Sequence, residues 1–308
     1  MRKTSAKQMK WALVIISTAM FVGPAVAAQN STAIPDLSGH WGRTNFNLEQ
    51  PPTGPKFTVN TLKKPDGTID DDTGRIGDYT NPLLTPQAAQ ILKQHGDFSR
   101  TGQAIPDTHN QCRPEPPPFT LTIQVEVLLL QRKDEVVLIY VNGPNVRRVR
   151  LNVLHPAHVT PSWLGDSVGH YEDDTLIVDT IGIKSPGALA VLDRYGTPFS
   201  DALHIVERYR LIDGTAAAEA IAKHRREFTT DTGTLRFDIY GAQFDNDLSH
   251  KGLQVEVTVD DPKTFTMPWK GLATYRPETA WPEMICAESL TQSAGLPVTL
   301  PTAAKPDF

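Results

Sequence analysis

The chain has 308 residues, 39% hydrophobic and 21% charged, with 30 Lys+Arg against 35 Asp+Glu and a formal charge of −5. That length suffices for one large β domain or two small ones. An acidic balance with no Lys/Arg stripe argues against a protein built to neutralise nucleic-acid phosphates or anionic lipid.

Residues 1–27 read as a signal peptide. Arg2, Lys3, Lys7 and Lys10 precede an apolar run over 11–22, followed by Pro24 and the small-residue signature Ala25-Val26-Ala27. The run is about half the ~20 residues a membrane span needs, and no cysteine follows the cleavage site to carry a lipid. The mature chain is therefore expected in the periplasm or secreted, without a membrane anchor. Cleavage removes four of the 30 Lys+Arg and none of the acids, leaving 26 against 35 and a formal charge of −9 on 281 residues.

A single β-rich domain is expected over 28–290, with a loose Pro- and Ala-rich tail over 291–308. Residues 36–41 lead into the fold, with Trp41 as a core anchor. Residues 51–80, rich in Pro, Gly, Asp and Thr, read as a surface excursion. A short helix follows: Thr85 caps it, Pro86 takes the first helical position, and Gly96 falls just past the end. The proline run over 114–118 cannot join a central strand, because each Pro removes a ladder donor.

From 119 onward the pattern is a meander, with strands over 121–131, 135–141 and 146–151 separated by turns at 132–134 and 142–145. Both faces of 136–141 are apolar, as in a strand covered on both sides. Residues 161–182, PSWLGDSVGHYEDDTLIVDTIG, form a hairpin of 167–172 and 175–180 turning at Asp173-Asp174. The next strand, 202–211, sets Leu203, Ile205, Glu207 and Tyr209 on one face and His204, Val206, Arg208 and Arg210 on the other. Glu207 is thus an acid among hydrophobes, costly unless paired or working. Residues 215–252 read as an insertion or flap with a helix over 216–223, and 253–259 with 265–275 close the sheet as a final hairpin.

Cys112 and Cys286 remain after export, and in an oxidising compartment they most simply pair with each other. On the chain-entropy account, closing so long a loop contributes roughly 5 kcal/mol.

The 161–182 block, ALHIVERYRLIDG over 202–214, GLQVEVTVDDPKTFTMPW over 252–269 and Cys286-Ala-Glu288 together resemble a large family of uncharacterised exported proteins of soil bacteria, marked by a PSW(L/Y)GDSVGHYExDTL(I/V)VDT block. The resemblance spans most of 36–288 and implies export and a continuous fold. It supplies no chemistry. The chain departs from the family pattern at Asp173, where glycine is favoured.

Three constellations carry candidate chemistry. Gly165-Asp166-Ser167-Val168-Gly169 fits the nucleophile-elbow pattern, but a strand follows it where that motif needs a helix. His155, His158, His170 and His204 could gather round zinc only if they converged, and Pro156 argues against a helix presenting His155 and His158 together; no metal is assigned. His170, Asp179, His204 and Glu207 remain as an acid/base cluster that adjoining strands would bring together, and its alternative reading is a polar network fixing strand register. Trp163, Asp166, Ser167, Tyr171 and Arg208 are the candidate ligand contacts.

The sequence thus predicts a mainly β fold, an antiparallel barrel or curved sandwich in the general manner of lipocalins, with one or two short helices and long loops. Its expected partner is a small, partly apolar organic molecule held at the barrel mouth near 163–172, with no cofactor and no nucleic acid. The alternative is an enzyme performing hydrolysis, dehydration or isomerisation with the His/carboxylate cluster.

Overall fold

The computed structural model describes residues 34–43, 47–55, 57, 61–63, 76–123, 126–141, 145–227 and 245–279. They fall in one compact unit, Ala33–Phe308. The expected signal peptide over 1–27, most of the expected insertion or flap (228–244), Cys286 and the expected tail over 291–308 lie outside the described residues.

Alternation sets the architecture. In Gly252–Asp260 (β8), Leu253, Val255, Val257 and Val259 are all buried, as are Leu176, Val178 and Thr180 of Thr175–Ile181 (β6) and Ile205, Glu207 and Tyr209 of His204–Ile212 (β7). One side of each strand therefore faces a shared interior. With Gly39–Gly42 (β1), Glu126–Gln131 (β2), Glu135–Tyr140 (β3), Val146–Leu151 (β4), Asp166–Glu172 (β5) and Trp269–Pro277 (β9), they form a closed barrel in chain order. The last strand returns to the first through Trp41–Pro277 and Gly42–Arg276.

Neighbouring strands run antiparallel everywhere except between β4 and β5, paired in parallel at Arg150–Val168 and Leu151–Gly169. A ring of nine cannot alternate direction all the way round. One pair has to be parallel, so the mainly antiparallel barrel expected is present with a single parallel joint. Parallel neighbours need a crossover of about a dozen residues or more, and here it is 152–165. Gly165 closes it with φ +71°, and a Cβ there would lie 2.8 Å from the Ile181 carbonyl. Only glycine enters β5 without strain.

Outside the ring, Pro86–Ser99 (α1) has the expected Thr85 cap, its hydroxyl accepting from the Ala88 N–H at 3.3 Å. The helix runs on through Gly96 instead of ending before it. Gly96 is buried, and a Cβ there would come within 3.0 Å of Ile76, so this glycine serves close packing and not termination. Residues at the start of the expected 121–131 strand are helical instead, Phe119–Ile123 (α2), because the Thr120 and Leu121 amides turn back to the Pro116 and Pro118 carbonyls. Gly214–Glu227 (α3) is a helix at the start of the segment expected to be an insertion or flap.

Trp41 is the anchor expected of it, buried with its indole N–H donating to the Leu37 carbonyl at 3.0 Å. The 51–80 excursion is tied down by Phe57, whose ring meets Phe265 edge-on at 4.9 Å and Trp269 at 5.1 Å. Cys112 is not a free thiol.

Candidate functional site

The expected cluster falls on the hairpin β5–β6 and on β7, and strand alternation divides it between the two surfaces of the barrel wall. Ser167, Thr180 and Glu207 point inward, whereas Asp166, His170, Asp179, His204 and Arg208 point outward. Glu207 therefore does not join Asp179 and His204, whereas His170 shares their surface but turns to Glu172 at the other end of the hairpin.

Inside, Glu207 is fully buried and pairs with Arg147 of β4, itself 1% exposed, at 2.5 Å. The Arg147 guanidinium also donates to Ser167 Oγ at 3.0 Å and to Thr180 Oγ1 at 2.6 Å, while the Tyr209 hydroxyl donates to the other Glu207 oxygen at 2.9 Å. Burial disfavours the Arg147 cation, but the Glu207 carboxylate and Tyr209 outweigh it and the net shift is upward. Burial likewise pushes the Tyr209, Tyr140 and Tyr275 hydroxyls up. All are neutral phenols at any ordinary pH. Ser167, the central residue of the elbow-like motif, is 4% exposed and fully engaged, so it offers no open nucleophile. Tyr171 also turns inward, half-buried at the barrel end, where the Gln131 amide donates to its hydroxyl at 2.6 Å.

Outside, the crossover brings in His155. Its Nδ1 lies 2.6 Å from Asp166 Oδ2 and its Nε2 lies 2.9 Å from Asp179 Oδ1. The second Asp179 oxygen takes His204 Nε2 at 2.9 Å, and Arg150 donates to both Asp166 oxygens at 2.8 Å. The result is a continuous chain, Arg150–Asp166–His155–Asp179–His204, along the barrel shoulder. The Asp179 hydrogen bond raises the His204 pKa against the opposing effect of burial, and the same bond, helped by His155, holds Asp179 below the usual carboxylate range. His204 and Asp179 side chains are 40% and 38% exposed, and His204 Nδ1 makes no hydrogen bond to the described residues.

The remaining candidates sit apart. His170 Nε2 and Arg208 flank the exposed Glu172 carboxylate at 3.2 and 2.9 Å, at the turn end of the hairpin. Trp163 lies on the crossover with the Lys184 ammonium 4.8 Å over its ring. His158 is exposed and joins nothing here. Among the described residues, no group of three or more His, Cys, Asp or Glu has the arrangement to hold a metal ion.

Sequence reasoning weighed His155 only as a metal ligand and missed Arg147 and Arg150. Arg147 was findable: in 146–151, VRRVRL, it shares a face with Val149 and Leu151 and is as misplaced among hydrophobes as Glu207, whereas Arg150 lies on the outward face, where an arginine gives no such signal. No family model, curated protein or solved structure matches the chain.

Proposed function

We propose that this is an exported β-barrel protein that binds a small, partly apolar organic molecule on the barrel shoulder beside His204, and not inside the barrel. The observation that carries this reading is the Asp179 carboxylate held between two imidazoles, with His204 half-exposed and its Nδ1 unengaged. Val153 and Leu154, 46% and 89% exposed, give the adjoining crossover an apolar lip, and Trp163 follows on the same segment. The interior is a poorer competitor, because the charges at its centre are paired with each other as Arg147–Glu207 and buried, although Arg147 Nη1 is left without a hydrogen-bond partner among the described residues. The 161–182 block places the chain, on this reading, with the exported soil-bacterial family, and no cofactor is invoked.

A specific observation favours a second reading, acid–base chemistry on the bound molecule. Asp179 fixes the His204 tautomer through Nε2 and raises its basicity, leaving Nδ1 to take or give a proton at a substrate atom. In that role Asp179 orients, His204 transfers the proton, and His155 and Asp166 hold Asp179 in place.

A thermal-shift screen of the mature protein against small organic acids, esters and aromatics tests the binding reading, since a ligand of the native state raises its Tm. Hits whose shift vanishes in His204→Ala but persists in Glu172→Gln support the shoulder site. Hits insensitive to His204→Ala refute it. Turnover of a hit by wild type and not by Asp179→Asn would establish the second reading. For the export assignment, the mass of the secreted protein should place its N-terminus at Ala28. For a Cys112–Cys286 disulfide, thiol titration of native protein should find none, and two free thiols would rule it out.

A further inference from the structure

The interior of the barrel holds hydrogen-bond donors that the Arg147–Glu207 pair does not use. Arg147 commits Nε to Ser167 and Nη2 to Thr180 and Glu207, while Nη1 has no hydrogen-bond partner among the described residues. The residue is 1% exposed, so bulk water does not serve it. Thr120 of α2 is fully buried, and its Oγ1 is likewise without a partner among the described residues. A buried polar group left unmatched is costly, and native structures keep few of them. Two at one place point to an occupant.

Both atoms lie beside Tyr140. Arg147 pairs with Leu138 across β3 and β4, which sets Tyr140 two residues further along the same inward face, within reach of a long side chain. Burial keeps the Tyr140 hydroxyl protonated, with Arg147, Glu207 and Tyr275 acting on it and Thr120 as its side-chain neighbour. Arg43 holds α2 over this end of the barrel: it donates to the Leu121 carbonyl at 2.8 Å, and its guanidinium carbon lies 5.5 Å from the centre of the Tyr275 ring. Every group turned to this spot has hydrogen to give, two on Arg147 Nη1 and one on each hydroxyl. The Glu207 oxygens are already taken by Arg147 and Tyr209. Charge points the same way, since Arg43 and Arg147 are both buried cations and Glu207 is the carboxylate between them and Tyr209. A further carboxylate, Glu49, is committed to the Thr274 amide and hydroxyl.

We propose that this end of the barrel binds one compact anion, seated on Arg147 Nη1 and the Thr120 and Tyr140 hydroxyls. A water molecule accepts the same hydrogens but leaves two buried cations against one carboxylate. An anion answers both needs. The chemistry called for is a small, singly charged acceptor such as a halide or a formate-like carboxylate. The site lies on the opposite surface of the wall from His204 and is independent of whether the shoulder binds a ligand.

The probe is chloride, with the mature protein refolded in sodium chloride or in sodium gluconate at one ionic strength. Tm should rise by roughly 3–6 °C for each tenfold increase in chloride beyond the dissociation constant. Thr120→Val should lower that slope, and Arg147→Met combined with Glu207→Leu should abolish it. Equal slopes in wild type and either variant overturn the proposal, as does the same Tm in both salts. Should the variants not fold, crystals of wild type grown in bromide decide the matter. An anomalous peak at hydrogen-bonding distance from Arg147 Nη1 is expected there, and ordered water without bromide overturns the proposal equally.

Discussion

Replacing Glu207 by glutamine leaves the shape of the side chain and removes its charge, stranding the Arg147 guanidinium in the middle of the barrel. Glu207 and Arg147 are 0% and 1% exposed, so water cannot take over the lost interaction. Breaking a buried pair by removing one partner costs about 3–5 kcal/mol. In a domain somewhat larger than ~200 residues each kcal/mol moves Tm by roughly 2–4 °C, so the expected fall is about 6–20 °C. Replacing both partners with apolar groups, Arg147→Met with Glu207→Leu, removes the desolvation penalty with the attraction. The double variant should therefore be more stable than Glu207→Gln alone, by about 2 kcal/mol or more. Calorimetry and urea unfolding at one pH of wild type, Arg147→Met, Glu207→Leu and the double variant close the cycle, with Glu207→Gln measured beside them. A Tm loss under about 2 °C for Glu207→Gln, or a double variant whose loss is the sum of the two singles, would refute the claim that this pair acts as one buried unit.

Three further outcomes follow from particular residues. His204 is raised above its ordinary 6.5, so its stabilising contribution is complete below that value and fades as pH rises through the higher folded value; Asp179 is lowered from 3.8, so its contribution is complete above that value and fades as pH falls through the lower folded one. Their joint contribution therefore peaks between the two. NMR titration of the His204 ring should give a midpoint above 6.5 that drops in Asp179→Asn, and a midpoint at or below 6.5 in wild type would contradict the bond geometry. Gly165→Ala should destabilise by about 2 kcal/mol, combining a left-handed φ with a Cβ driven at the Ile181 carbonyl; a neutral result in chemical denaturation would show that the entry into β5 relaxes freely. Asp173 adopts φ +50° in the hairpin turn, where glycine carries no Cβ penalty, so Asp173→Gly should be neutral or stabilise by up to about 1 kcal/mol. A clear loss of Tm would mean the aspartate side chain supports the turn.

The strands were legible because their apolar residues alternate strictly. β6, β7 and β8 fall where period two puts them, and Glu207 is buried among hydrophobes as its face requires. The same alternation already separated Glu207 from His204, three residues apart and so on opposite surfaces; grouping them as one cluster overlooked it. Gly96 misled because glycine stops helices by conformation but also admits close neighbours by size, and only packing against Ile76 distinguishes the two. Residues 119–123 were apolar enough for a strand, yet the prolines before them turn the chain into a helical start. The partners of His155 escaped notice because they are set by ring closure, a property of strand number and not of any local window. Counting nine strands would have required a parallel pair, and with it a crossover passing over β5.

The meeting of β1 with β9 also has a bearing on how the molecule is made. The ring cannot shut until residue 277 is available to pair with Trp41, so closure waits for the last strand to be made. Folding that waits on contacts between distant parts of the chain is slow, in the range of milliseconds to seconds. On the export reading proposed above, that delay would keep the polypeptide compliant until its whole length had passed the secretion channel.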